Sequence, residues 1–274
     1  MARFEEVSTS EYVIQESDKY LDLLSIVKKE NLDENGIIER LSNIPIPTLE
    51  EVERRTIVQN ENALWKTGRQ FSITSSNFQQ IFKRQKENVD KLLVQFSNKT
   101  KSIETPALQW GRKRESIARK TYVAYKKLKH NESVKVRECG LFLCEKSGYL
   151  GASPDGIVTS KIDTCRPWVL EIKCPYKLRF KTIRDACRDR NFFCEIDSEN
   201  EIQLKKSHTY YSQIQGQMAI CQAMKCDFVI YCFKDFKIVE IEFDEDYWAK
   251  MEQSLNKFYT THMTPFILES AKAS

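Results

Sequence analysis

The sequence predicts one large α/β domain over residues 56–274, behind an acidic helical extension over 1–55. Three observations point there. A strong helical pattern from Pro106 is followed by short β-prone segments and then by further helical patterns. With 274 residues, 41% of them hydrophobic, the chain can bury a sizeable core. The charge is uneven: residues 1–50 hold five Lys/Arg against eleven Asp/Glu, whereas 51–274 hold 38 against 28. A basic body behind an acidic front suits a polyanionic partner.

Residues 11–30 carry Val13, Tyr20, Leu21, Leu24 and Val27 at helical spacing, and Gly36 with the Pro45/Pro47 pair then punctuates a loop. The stretch ALQWGRKRESIARKTYVAYKKL after Pro106 reads as a helix with Trp110, Ile117, Ala124 and Leu128 on one face. Proline suits its first turn, and Lys126, Lys127 and Lys129 suit its C-terminal end. Segments 134–136, 141–144, 149–152, 156–159 and 168–172 read as strands. Residues 178–206 read as a polar, irregular insertion. A helix over 208–224, a hairpin of 228–233 with 237–243, and a last helix starting near Asp244 with Trp248, Met251, Leu255 and Phe258 complete the pattern.

The nine cysteines form no C-x-x-C pair, and Cys187, Cys194 and His208 lack zinc-ligand spacing, so reduced thiols are expected. No apolar run reaches eighteen residues and the N-terminus has no apolar signal core. The expected location is inside the cell with no membrane contact, and in the nucleus if the protein is eukaryotic or viral in a eukaryotic host.

Ser153–Gly156 reads SPDG, and 170–175 reads LEIKCP. Asp155 sits at a turn joining two strands, and Glu171 lies on a strand among Val169, Leu170 and Ile172. Strand alternation puts Lys173 on the same face as Glu171. A carboxylate and an ammonium on a buried strand are costly unless paired. Pro-Asp-Gly alone is an ordinary turn, and Glu-x-Lys alone an ordinary ion pair. Together, two converging carboxylates make an oxygen-rich site for Mg²⁺ or Mn²⁺, with lysine as a point charge beside the ion.

PD…E-x-K on a hairpin resembles the signature of the PD-(D/E)XK nuclease superfamily. More closely, the chain is similar to the lambda exonuclease/YqaJ-type viral recombinase family. GRQFSITSSNF at 68–78, WGRKRESIA at 110–118, GASPDG at 151–156 and TYYSQIQGQMAI at 209–220 resemble that family's motifs in order, over about residues 60–245. The resemblance implies a restriction-endonuclease-like core, a mixed central sheet flanked by helices. It implies a Mg²⁺-dependent deoxyribonuclease, a 5′→3′ exonuclease on linear double-stranded DNA in viral or mobile-element recombination or replication. An endonuclease on the same core and a catalytically silent DNA-binding module are the alternatives.

Carried onto this sequence, the resemblance makes Glu115, Asp155 and Glu171 metal ligands, joined by the backbone carbonyl of Ile172. Gly111 and Ala118, one turn either side of Glu115, would leave room there. Lys173 would orient or deprotonate the attacking water, and Gln213, with Tyr210 one turn before it, would position the water or the lysine. Arg69, Ser76 and Ser153 would hold a terminal 5′-phosphate, although Thr74 and Ser75 also read as simple helix caps. Glu145 is a further acidic candidate. Lys181, Arg184, Arg188 and Arg190 make 178–206 either a DNA-contacting loop or a disordered surface. Implied partners are duplex DNA, further copies of the chain in a toroidal trimer, and a single-strand annealing protein.

Overall fold

A computed structural model describes residues 17–20, 22–97, 104–161 and 166–273. The helices, in chain order, are α1 (Leu23–Glu30), α2 (Glu34–Ser42), α3 (Ile46–Arg55), α4 (Ala63–Gly68), α5 (Phe78–Phe82), α6 (Asp90–Phe96), α7 (Pro106–His130), α8 (Ile183–Ala186), α9 (Thr209–Cys221), α10 (Glu245–Phe258) and α11 (Thr264–Ala273). The strands are β1 (Ile73–Thr74), β2 (Val134–Arg137), β3 (Phe142–Leu143), β4 (Leu150–Ala152), β5 (Gly156–Ser160), β6 (Trp168–Lys173), β7 (Cys194–Ile196), β8 (Ile202–Leu204), β9 (Lys225–Tyr231) and β10 (Phe236–Glu242). No described helix is long and apolar enough to cross a membrane.

The described residues divide into two compact units, one falling within 104–138 and 154–243, the other within 17–97, 139–153 and 244–273. The first holds a five-stranded sheet in the order β10-β9-β6-β5-β2, antiparallel except for the parallel β6–β9 pair. Strand β6 is buried along its length except at Lys173, as expected of a central strand covered on both faces. Trp168, Leu170 and Ile172 join Ala118 and Tyr122 of α7, Val134, Val158 and Val229 in one apolar cluster. Glu171, pointing the other way, meets α9. This is the restriction-endonuclease-like arrangement, a mixed sheet between helices.

Helix α7 runs as expected, capped by Thr105, whose hydroxyl accepts from the Leu108 amide. Its buried stripe is not the expected one. Ala118, Tyr122 and Lys126 face inward, whereas Ile117 is exposed and Leu128 is 81% exposed. The reason is a polar network in the core. Asp227 on β9, fully buried, accepts from the Tyr122 hydroxyl (2.5 Å) and the Trp168 indole (2.9 Å), and pairs with the Lys126 ammonium at 2.9 Å. That partner lets a lysine occupy a core position.

Gly156 opens β5 directly after Asp155. A Cβ there would stand 2.5 Å from Val136 Cγ1 and 3.2 Å from the Arg137 carbonyl oxygen. Gly156→Ala must push β5 off β2, so a loss of about 1–3 kcal/mol is expected, read as a lower thermal midpoint with reduced activity.

Residues 178–206 are ordered rather than irregular. They contain α8 and the β7–β8 hairpin, with Ile183 and Cys194 fully buried and the Ile183 amide donating to Asp235 Oδ2 at 2.8 Å. The alternation Ile202-Gln203-Leu204, buried-exposed-buried, carried that signal beneath the polar composition.

The second unit contains a three-stranded sheet in the order β1-β4-β3, with β1 parallel to β4. Gly36 lies within α2 and donates its amide to the Asp33 cap at 2.7 Å, and Pro47 sits in the first turn of α3, so the expected loop is shorter. The helix expected over 11–30 is broken at Asp22, whose side chain caps α1. Val13 and Leu21 lie outside the described residues. Glu53 accepts from the Gly140 amide at 2.9 Å and Thr56 from the Leu141 amide at 2.7 Å, which ties α3 into the body of its unit.

Candidate active site

Strand β6 delivers Glu171 and Lys173 to one face, and the Lys173 ammonium donates to Glu171 Oε1. Glu171 is 2% exposed, and α9 meets it with two amides one turn apart. Gln213 donates to Oε1 at 2.7 Å and Gln217 to Oε2 at 2.8 Å. Asp155, at the turn into β5, accepts from the Ile172 amide at 2.6 Å. In a strand the amide and carbonyl of one residue face the same edge, so the Ile172 carbonyl is turned toward the Asp155 side. Glu115 comes from α7 and pairs with Arg119 at 2.7 Å. A Cβ on Gly111 would meet nothing within 4 Å, so the helix leaves open space one turn before Glu115.

The three carboxylates share one field. Burial first, then Glu171 and Glu115, hold the Asp155 carboxyl well above the usual carboxylate range. Burial also raises Glu115, against the pull of Arg119. Burial works against the Lys173 charge, but Glu171 and Asp155 outweigh it and hold the ammonium above the usual lysine range. The Tyr210 ring lies 4.7 Å below that ammonium, so its contribution is a π-face.

Among the described residues no three His, Cys, Asp or Glu side chains make a ready cation cage. The fit to a divalent cation rests on donor chemistry. All the donors are hard oxygens, and Asp155 repelled by two carboxylates gains most from a cation among them.

The sequence reading missed two members. Arg119 holds Glu115, Glu138 and the Asp155 carbonyl oxygen (3.1 Å) with one guanidinium, and its signal was the i,i+4 spacing from Glu115. Gln217, four residues after Gln213, is the second amide on Glu171, whereas Gln215 of the Q-x-Q pair holds the Glu242 carbonyl.

The residues expected to hold an anion gather within the other unit. Arg69 donates to the Thr74 hydroxyl at 3.1 Å, Thr74 and Ser76 share a hydrogen bond at 3.3 Å, and the Trp65 indole donates to Ser153 Oγ at 2.9 Å. The Arg69 guanidinium stacks on the Trp65 ring at 4.1 Å. No carboxylate among the described residues pairs with it, and burial pulls its pKa down to about 10, leaving it cationic at neutral pH. Thr74 makes no side-chain cap, so the capping alternative fails there. Glu145 lies in this unit too, in the turn before β4, where it adds to the field on Cys144.

The family model for the YqaJ-like viral recombinase domain matches residues 64–224. No curated protein matches the chain. The fold is similar to the crystal structure of an alkaline exonuclease from Laribacter hongkongensis, with TM-score 0.56 and 22% identity over 77% of this chain and 98% of that one. The same exonuclease in complex with dAMP gives TM-score 0.56 and 24% identity over the same shares. A SOX–DNA complex gives TM-score 0.58 and 15% identity over 94% of this chain and 81% of that one.

Proposed function

Because the chain belongs to the YqaJ-like viral recombinase family, we propose that it is a Mg²⁺-dependent exodeoxyribonuclease that digests linear duplex DNA 5′→3′ in viral or mobile-element recombination. The observation that carries this reading is Asp155, at the turn into β5, meeting Glu171 and Lys173 of the adjoining strand β6, with Glu115 in the same field. Structural neighbours described as an alkaline exonuclease bound to dAMP and as a DNA complex support it.

Asp155, Glu171, Glu115 and the Ile172 carbonyl would hold the ion, and Mn²⁺ suits the same oxygens. The bound ion supplies Lewis acidity and a lowered water pKa. Lys173 stands where an ammonium can orient the attacking water and neutralise charge developing on the phosphate. Gln213 and Gln217 fix the Glu171 carboxylate, and Tyr210 holds the lysine over its ring. The Arg69–Thr74–Ser76 set and Ser153 suit a terminal 5′-phosphate, the feature that favours an exonuclease over an endonuclease on the same core. A toroidal trimer and a single-strand annealing partner belong to the same reading.

The test compares linear duplex bearing 5′-phosphate, linear duplex bearing 5′-hydroxyl, and a covalently closed circle. Phosphorylated ends should be digested fastest and the circle spared; cutting the circle sinks the exonuclease reading. Arg69→Ala should slow digestion from 5′-phosphate ends about 10-fold or more and erase their advantage over hydroxyl ends, since a charge-assisted contact contributes about 1.5–3 kcal/mol.

A further inference from the structure

Beside the carboxylates, within the same unit, four rings and two arginines form a patch that the proposed hydrolysis does not use. Trp110 from the first turns of α7 meets Phe233 from the β9–β10 turn edge-on, with centroids 4.9 Å apart. Tyr176, three residues after Lys173, packs its ring 5.9 Å from Trp110, and Phe180 lies 6.2 Å from Phe233. Arg114 places its guanidinium 4.8 Å from the Trp110 ring and 4.5 Å from Phe233. Arg179 lies 3.9 Å from Tyr176 and 5.1 Å from Phe180.

Two features separate this patch from ordinary packing. Phe180 is 61% and Phe233 49% exposed, side by side rather than scattered. Among the described residues neither Arg114 nor Arg179 pairs with a carboxylate, so both guanidinium charges stay available to an anion. Lys177 and Lys181 are exposed in the same segment. The patch also adjoins the site: Cys174 feels the Asp155 and Glu115 carboxylates together with the Arg114 guanidinium.

Flat rings interleaved with guanidinium planes and flanked by lysines match a strand of nucleic acid whose bases are unstacked, because every base has a π-face and every linkage a charge. A paired duplex hides its base faces and offers the rings nothing. We propose that Trp110, Tyr176, Phe180 and Phe233, with Arg114 and Arg179, form a base-stacking platform that holds an unpaired DNA strand beside the site. The inference rests on the nuclease reading for its substrate, but its test does not.

Binding of a labelled oligothymidylate of about a dozen nucleotides is measured by anisotropy in chelator, against an abasic oligomer of equal length and charge. The wild type should prefer the oligothymidylate. The Phe180→Ala/Phe233→Ala protein should lose about tenfold in affinity for it and little for the abasic chain or a blunt duplex. Phe180→Tyr/Phe233→Tyr, which keeps the rings, should retain the affinity and controls for folding. Equal losses on both oligomers, no loss on either, or no wild-type preference for bases overturns the platform. Duplex hydrolysis by the wild type is read separately: its absence removes the nuclease reading and leaves the stacking comparison standing.

Discussion

Asp155→Asn should reduce hydrolysis by at least about 10³-fold while making the metal-free protein more resistant to heat. The activity loss follows from the proposed role of Asp155 as an anionic ligand, whose removal would cost at least as much as deleting one preorganised donor, about 10²–10³-fold. The gain in stability follows from the same carboxylate. Burial, then Glu171 and Glu115, hold its pKa well above the usual range. In the metal-free protein the folded state therefore keeps a proton that the unfolded chain releases. Stability declines as pH rises from the ordinary carboxylate range through the raised folded value. The substituted asparagine side chain keeps an oxygen for the Ile172 amide and has no charge to repel, so that decline should flatten. Thermal midpoints across pH in chelator, for both proteins, check this; a lower midpoint for the variant at neutral pH would contradict the assignment.

Lys173→Met should slow hydrolysis by about 10²–10³-fold with the opposite effect on cation affinity. The lysine now neutralises Glu171, so removing it leaves a carboxylate held only by Gln213 and Gln217 and freer to bind a cation. Mn²⁺ titration calorimetry should show equal or tighter binding in Lys173→Met and much weaker binding in Asp155→Asn. Undiminished cleavage by Lys173→Met would take the lysine out of the chemistry. The two variants thus separate the proposed ligand, Asp155, from the proposed charge on the water and phosphate, Lys173.

Local rules made the central site legible. Alternation by two along β6 put Glu171 and Lys173 on one face, and the Pro-Asp-Gly turn put Asp155 at the mouth of the neighbouring strand. Helix α7 was equally plain from its proline start and its helix-forming residues. Its orientation was not, because Tyr122 and Lys126 score as surface residues until Asp227, about a hundred positions away, is known to receive them. The same limit hid the two-unit organisation, since Glu53 meeting Gly140 and Trp65 meeting Ser153 are long-range pairings that no local period announces. In 178–206 a high charge count masked a short hairpin whose apolar residues alternate over only three positions.

Every carboxylate of the site already has a protein partner: Ile172 for Asp155, two amides and an ammonium for Glu171, a guanidinium for Glu115. Where a small zinc domain comes apart when its ion is withdrawn, this site has an internal set of stand-ins. With the proposed cation, a chelated preparation should therefore be dormant rather than denatured. Returning the cation should restart it within the time of mixing, with no refolding to wait for.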